Sequence, residues 1–122
     1  MNWTLDKSRP ICPQICELIC VAVANGEFSE GEKLLSVREI ALLAGVNPNT
    51  VQKSFEELER RGVIHSVRCS GWYVNENTAA AVAEVRSLRV KRTEEYLAAM
   101  AQLGCGADAV IQYLNECQEG KS

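Results

Sequence analysis

The segment spanning residues 36–74 limits the possible folds of this chain most strongly, because it predicts two short helices and a hairpin in close succession. Ser36 and Glu39 have the spacing of a capping box, in which each side chain accepts a hydrogen bond from a backbone N–H at a helix start. Gly45 ends this first short helix. Asn47, followed by proline, marks the start of the second helix.

Apolar residues indicate which side of each short helix faces the core, because they recur at helical spacing. The predicted inward-facing set is Ile40, Leu43, Ala44, Val51, Phe55 and Leu58. Gly62 ends the second helix, and two β-prone runs, Val63–Val67 and Trp72–Val74, flank a turn that contains glycine. Helix, turn, helix and hairpin in this order indicate a winged helix-turn-helix, which presents one helix to the major groove of DNA.

Further helical patterns precede and follow this segment, from about Ile11 to Asn25, from Ala79 to Leu103 and from Ala107 to Cys117. The predicted fold class is mainly α with a small β-hairpin. It comprises a winged helix-turn-helix domain over residues 1–75 and a short two-helix dimerisation segment over residues 76–122. A long apolar helix followed by a short one buries both faces poorly alone, so pairing with a second copy is expected. The alternative is that these helices fold back on their own winged domain.

Composition places weaker limits on function. The 122 residues are 47% apolar, which suits one compact domain with an appendage. A net charge of −3 counts against a nucleic-acid-binding protein, although residues 36–74 hold five basic and four acidic residues. No run approaches the roughly 18 apolar residues of a membrane span, and no secretion signal is visible at the N-terminus. We therefore expect a cytoplasmic protein with no membrane partner.

The polar face of the second short helix carries side chains suited to DNA. Asn49 and Gln52 can each offer a donor and an acceptor together, which matches the edge of adenine in the major groove. Lys53 is placed for a phosphate, and free N–H groups at the helix start can meet another. Glu56 would repel phosphate, although it could accept from a cytosine amine. The plainer interpretation is a solvated helix face, but the neighbouring helix and hairpin favour DNA binding.

These residues also carry a family resemblance. The runs Gly31–Ala41, Gly45–Lys53 and Leu58–Ile64 resemble the GntR family of bacterial transcription regulators. The sequence Asn-Pro-Asn-Thr-Val and the short C-terminal extension resemble its YtrA subgroup most. The resemblance covers about Thr4 to Val74 and implies a homodimeric, non-catalytic repressor of transcription. Such a protein binds double-stranded operator DNA with the helix from about Asn47 to Arg61 in the major groove, and any small-molecule effector is unknown.

The resemblance further implies which residues contact DNA. In the family, contacts come from the arginine of a Ser-x-Arg-Glu motif, from the start of the recognition helix, and from the wing tip in the minor groove. The implied DNA-binding residues are Arg38, Asn47, Asn49, Thr50, Gln52, Lys53, Arg68, Ser70 and Gly71. Two positions depart from the family pattern. Leu35 stands where proline usually precedes the serine, and Cys69 stands where glycine usually follows the basic residue of the wing.

Cysteines leave a second interpretation open. Cys12, Cys16 and Cys20 share one predicted helix, and the outer two are roughly 12 Å apart along its axis, so one metal cannot bind all three. A pair of them with Cys69 or His65 would require the fold to bring them together. We predict reduced structural thiols, no metal and no cofactor. The alternatives are a thiol- or metal-responsive sensor on the same scaffold and a winged-helix module that binds protein, while no motif indicates an enzyme.

Overall fold

The structure, a computed structural model, describes residues 1–120, which form five helices and one antiparallel hairpin. The elements in chain order are α1 (Ile11–Ala24), α2 (Val37–Ala44), α3 (Pro48–Arg60), β1 (Ile64–Val67), β2 (Gly71–Val74), α4 (Ala79–Gln102) and α5 (Ala107–Glu119). The predicted fold class, mainly α with a small hairpin in a winged helix-turn-helix arrangement, is confirmed. No helix within the described residues is long and apolar enough to cross a membrane.

Local capping sets the boundaries of α2 and α3, as the sequence predicts. The Ser36 hydroxyl accepts from the Glu39 N–H at 3.1 Å, and the Glu39 carboxylate accepts from the Ser36 N–H at 3.0 Å. Gly45 then adopts a left-handed conformation with φ 68°, which ends α2. Asn47 caps α3 by accepting from the Asn49 N–H at 2.8 Å. The two helices are therefore separated only by residues 45–47.

A fully buried stripe anchors α3 to the rest of its unit. Val51, Phe55 and Leu58 are all inaccessible to solvent, and α3 packs against α1. The Phe55 ring also meets the half-buried Trp72 ring of β2 edge to face, with centroids 5.4 Å apart. Burying one such apolar side chain stabilises the fold by about 1.5–3 kcal/mol, so this stripe fixes which side of α3 faces the core.

Ser54 is a buried polar residue that the sequence analysis did not place in the core. Its hydroxyl donates to the Thr50 carbonyl oxygen at 2.8 Å and lies 3.5 Å from the Cys12 carbonyl oxygen. The Cys16 thiol lies 3.5 Å from the Ser54 carbonyl oxygen. The contact between α1 and α3 is therefore close, and small side chains on both helices permit it.

The predicted inward position of Leu43 is wrong. This side chain is 60% exposed, whereas Ile40, Ala41 and Ala44 of the same helix are buried. At 3.6 residues per turn, Ala44 and Ala41 follow Ile40 on one side of the helix axis, and Leu43 lies about 60° beyond Ile40 on the other side. Helical spacing alone places Ile40 toward the core, but it does not show whether the buried face extends from Ile40 toward Ala44 or toward Leu43.

The chain divides into two compact units, Met1–Val85 and the residues from Arg86 onward. The first unit contains α1, α2, α3 and the hairpin, and the first two turns of α4 contribute the buried residues Ala81 and Val85 to its core. The second unit contains the remainder of α4 and α5. The predicted division of domains after residue 75 remains a prediction.

Candidate nucleic-acid interface

The polar face of α3 is exposed along its length. Asn49, Gln52, Lys53 and Glu56 are all accessible to solvent, while the opposite stripe of the same helix is fully buried. The helix therefore presents two side-chain amides and one ammonium group on a surface that no other part of the unit covers. An α-helix with such a face fits the width of the major groove, where amide side chains can pair with base edges.

The first residues of α3 are engaged within the protein. The Asn47 carboxamide oxygen is occupied by the Asn49 N–H, and the Asn47 carbonyl oxygen accepts from the Thr50 N–H at 3.0 Å and the Val51 N–H at 3.4 Å. Pro48 has no N–H to donate. The expectation that free N–H groups at this helix start could meet a phosphate is therefore wrong.

Two of the predicted contact residues consequently differ from the rest of the set. Asn47 is exposed, but its side chain caps the helix start. Thr50 is half-buried, and its carbonyl oxygen accepts a hydrogen bond from the Ser54 hydroxyl. Asn47 retains its side-chain NH₂ group for a DNA contact. Their predicted contacts with DNA remain predictions, and any loss of binding on substitution must be separated from the loss of a cap.

Arg38 lies in the first turn of α2 and is exposed. Its neighbour Glu39 is held in the capping box, and the hydrogen bonds from Ser36 lower the pKa of the Glu39 carboxyl below its usual value. The carboxylate is therefore negatively charged at neutral pH and directed toward the backbone of Ser36. Arg38 extends from the same turn without this constraint, which leaves its guanidinium group available to a phosphate or a base.

The wing is the hairpin formed by β1 and β2, in which Val67 pairs with Gly71 across three turn residues. The Ser70 N–H donates to the Val67 carbonyl oxygen at 3.0 Å, and the hydroxyl groups of Ser70 and Tyr73 form a hydrogen bond. Arg68, Cys69 and Ser70 are exposed at the tip. The predicted wing contacts Arg68 and Ser70 are therefore accessible to DNA.

Cys69 occupies the wing tip with φ 63°, a left-handed conformation that is uncommon for residues other than glycine. The family resemblance places glycine at this position. The turn therefore keeps a glycine-like shape even though the residue carries a side chain, and the departure at Cys69 places an exposed thiol at the tip. Gly71, which follows it, has φ 142° and begins β2.

Two of the five basic residues counted in residues 36–74 are neutralised within the protein. Arg60 and Arg61 both form ion pairs with Glu57, and Arg61 lies 3.4 Å from Glu84 as well. Hydrogen bonds from Arg60 and Arg61 lower the pKa of the Glu57 carboxyl, so the pairing persists at neutral pH. The cations on the exposed surface of this segment are then Arg38, Lys53 and Arg68.

Two lysines outside that segment reach the same region, and the sequence analysis did not identify them. Lys7 donates from its Nζ atom to the Gly45 carbonyl oxygen at 2.6 Å, in the turn between α2 and α3. Lys33 precedes α2 and bridges to Tyr73 of the wing. Neither was predictable from local spacing, because each depends on a contact between residues distant in sequence.

The structure also bears on the cysteine interpretation. Burial raises the pKa of the Cys16 thiol to about 12 and that of the Cys20 thiol to about 11, so both are protonated at neutral pH. A protonated, buried thiol is a poor nucleophile and metal ligand. Within residues 1–120, no group of three or more His, Cys, Asp or Glu side chains is placed to hold a metal ion.

Capped short helices, an exposed polar recognition helix and an adjoining wing together define a winged helix-turn-helix DNA-binding protein. The family described as "Bacterial regulatory proteins, gntR family" matches residues 13–74, which is half of the chain. The chain therefore belongs to the GntR family of bacterial regulatory proteins, and the prediction of a DNA-binding transcription regulator is confirmed.

Relatives support the same assignment. The chain is 31% identical over 121 residues to the uncharacterized HTH-type transcriptional regulator YhcF of Bacillus subtilis (strain 168), which covers 98% of this chain and 99% of that protein. It is 39% identical over 84 residues to the HTH-type transcriptional repressor YtrA of the same organism, over 69% of this chain and 65% of that protein. The predicted resemblance to YtrA is confirmed.

Solved structures extend the similarity to three dimensions. A GntR family transcriptional regulator from Listeria monocytogenes superposes with a TM-score of 0.82 at 33% identity, covering 92% of this chain and 98% of that chain. The DNA-binding domain of AraR in complex with operator ORX1 superposes with a TM-score of 0.53 at 25% identity, covering 57% of this chain and 86% of that chain.

Proposed function

We propose that this chain is a homodimeric repressor that inserts α3 into the major groove of operator DNA and the wing into the adjoining minor groove. The observation that carries the proposal is the exposed polar face of α3, which lies opposite the fully buried stripe of Val51, Phe55 and Leu58. Because the buried stripe fixes the rotation of the helix, the polar face cannot turn inward without losing the core.

Different residues of this surface take different roles. Asn49 and Gln52 read base edges, because a carboxamide donates and accepts in the pattern that adenine displays in the major groove. Lys53 and Arg38 contact the phosphate backbone and set the position of α3, which contributes affinity without sequence preference. At the wing, Arg68 enters the minor groove, where Ser70 and Gly71 allow the turn to approach closely.

The second unit supplies the dimer contact in this proposal. Several of its large apolar side chains are exposed to solvent. They include Val90 at 54% exposure, Leu103 at 80%, Ile111 at 55%, Tyr113 at 60% and Leu114 at 50%. Exposed apolar residues on one short segment mark an interaction surface. A two-fold symmetric pair of chains would then read two half-sites of a palindromic operator.

The protein acts by occupying DNA rather than by catalysis, and it does so in the cytoplasm, where the chromosome is accessible. The thiol-sensor alternative is not favoured for Cys16 and Cys20, because burial keeps both protonated. The salt dependence of binding distinguishes DNA binding from the alternative of a protein-binding module. Neutralising phosphates releases counterions, so DNA affinity falls steeply with ionic strength.

The experiment that tests the proposal uses the full chain and a duplex recovered from a random-sequence library by repeated rounds of binding. Binding of the wild type and Asn49→Ala is measured by fluorescence anisotropy on this duplex and on single-base-pair variants of it. We expect Asn49→Ala to lose about 1–3 kcal/mol for each half-site of the selected duplex and to lose discrimination at one base pair in each half-site. An equal loss on every duplex contradicts the role of Asn49, and no binding at low salt contradicts the whole proposal.

Dimerisation and repression are tested separately. Sedimentation equilibrium should report a dimer for the wild type and a shift toward monomer for Leu114→Glu, with Glu116→Gln on the same helix as the control. A reporter gene placed behind the selected duplex should be silenced by the wild type. Activation of that reporter contradicts the proposal of a repressor. A dimer that persists in both Leu114→Glu and Ile111→Glu contradicts the proposed dimer contact.

A further inference from the structure

Lys33 lies on a short extended segment that adds to the free edge of the wing. The Leu34 N–H donates to the Trp72 carbonyl oxygen at 2.8 Å, and the Val74 N–H donates to the Glu32 carbonyl oxygen at 2.8 Å. These two bonds flank an antiparallel bridge between Lys33 and Tyr73. The backbone of Lys33 is therefore held by the hairpin, so its position does not depend on its own side chain.

The side chain of Lys33 extends along the wing toward Gly71. A Cβ atom placed on Gly71 would lie 3.1 Å from the Lys33 Cε atom and 3.8 Å from its Nζ atom. The ammonium group is thus close to the backbone of the predicted wing contacts. The absence of a side chain at Gly71 leaves the space that the lysine stem occupies.

The same ammonium group is electrostatically coupled to the first turn of α2. The pKa of Glu39 is lowered mainly by the hydrogen bonds from Ser36, and the positive charge of Lys33 lowers it further. Lys33 therefore lies between two predicted DNA-contacting elements, the turn that carries Arg38 and the wing. It is exposed, and no ion pair within 4.0 Å joins Lys33 to any acidic residue among those that the structure describes.

We propose that Lys33 is a further DNA-binding residue, which contacts a backbone phosphate between the segment read by α3 and the minor groove entered by the wing. This inference rests on the proposed function. A lysine ammonium is a compact charge on a flexible stem, so it suits a phosphate better than a base edge. Arg38 and Lys33 would then hold consecutive parts of the DNA backbone on either side of the gap between α2 and the wing.

A phosphate contact by Lys33 and a purely structural role for its side chain predict different effects of truncation to alanine. Its backbone bridge to Tyr73 survives truncation to alanine, and its side chain is exposed, so stability changes little. Glu39 is already engaged with the Ser36 N–H and the capping box persists without the lysine. A phosphate contact instead contributes a salt-dependent increment of DNA affinity that alanine removes and arginine retains.

The test measures DNA affinity of the full chain between 50 and 300 mM salt, on a 30-base-pair random-sequence duplex and on the selected duplex. The variants are Lys33→Ala, Lys33→Arg and the control Lys91→Ala, which removes an exposed lysine of α4. Because each chain of the dimer loses one phosphate contact, Lys33→Ala should lower the slope of log affinity against log salt by about 2 and weaken binding about 25- to 100-fold at 0.1 M salt on both duplexes. Lys33→Arg should keep the wild-type slope, and Lys91→Ala should change neither slope nor affinity.

The outcomes separate this inference from the proposed function. Wild-type binding with an unchanged slope in Lys33→Ala overturns the role of Lys33 and leaves the proposed function standing. A loss for Lys33→Ala that arginine does not restore also overturns it, because any cation there should serve. If the wild type binds neither duplex at 50 mM salt, both the proposed function and this inference fail. Thermal unfolding of each variant confirms that the fold is intact.

Discussion

Replacing Cys69 with glycine tests the conformation of the wing tip. Cys69 has φ 63°, and its Cβ atom makes this left-handed conformation unfavourable compared with the extended or right-handed regions. The hairpin enforces it, because the Ser70 N–H donates to the Val67 carbonyl oxygen and closes the turn. The thiol itself is exposed, so the substitution removes little packing.

The expected effect combines two opposing contributions. A left-handed conformation costs a residue with a Cβ atom about 1–2 kcal/mol, and glycine avoids this cost. Glycine in turn loses about 0.5–1 kcal/mol more conformational entropy on folding. The net gain in the free energy of unfolding should be about 0.5–1 kcal/mol. For a unit the size of Met1–Val85, this corresponds to a rise in Tm of about 2–8 °C.

Thermal and urea unfolding of Cys69→Gly check this expectation against Cys69→Ala as the matched control. Alanine removes the same thiol but keeps the Cβ atom, so it should leave the stability within about 0.5 kcal/mol of the wild type. Glycine and alanine variants of equal stability would refute the reasoning, because the gain would then not arise from backbone conformation. A glycine variant less stable than the wild type would refute it as well.

Three further predictions concern the cap, the buried thiols and the anchor of α3. Asn47→Ala should lower the free energy of unfolding by about 1 kcal/mol, because the Asn49 N–H loses its acceptor. Asn47→Ser should retain most of that stability, because serine also caps helices. If urea unfolding gives the two variants equal stability, the capping role of Asn47 is contradicted. Burial raises the pKa of Cys20 from near 9 to about 11, so the unfolded thiol loses its proton first. Stability should therefore be complete below pH 9 and fall as pH rises toward 11, and the urea midpoint should drop less between pH 8 and 10 in Cys20→Ala than in the wild type. Phe55→Ala should cost about 3–5 kcal/mol by urea unfolding, while Leu42→Ala, at 83% exposure, should cost under about 0.5 kcal/mol; similar costs would contradict the assigned core.

Local signals in the sequence predict most of the first unit. The capping box at Ser36, the left-handed glycine at position 45 and the cap at Asn47 each depend on residues within four positions of one another, so the sequence alone specifies them. The buried stripe of α3 follows from its spacing in the same way. These features fix the ends of both short helices and the outward direction of Asn49.

Features that depend on distant residues escaped the sequence analysis. Ser54 is buried because α1 approaches α3 closely, and nothing near Ser54 in sequence indicates that contact. Arg61 was counted among the basic residues of the segment 36–74, and its ion pair with Glu84, which lies outside that segment, was not predicted. Lys33 reaches the wing only because its segment joins the edge of the hairpin. The available charge on the DNA-facing surface is therefore a property of the fold rather than of residues 36–74.

The outward polar face of α3 is tested most directly by nuclear magnetic resonance of the ¹⁵N-labelled full chain as the selected duplex is added. Side-chain NH₂ signals of asparagine and glutamine report base-edge contacts individually. We predict that the signals of Asn49 and Gln52 shift most, together with the backbone amides of Arg38 and Arg68, while the NH₂ signal of Gln102 on α4 stays in place. If the NH₂ signals of Asn49 and Gln52 do not move while the duplex is bound, the recognition role of α3 is contradicted.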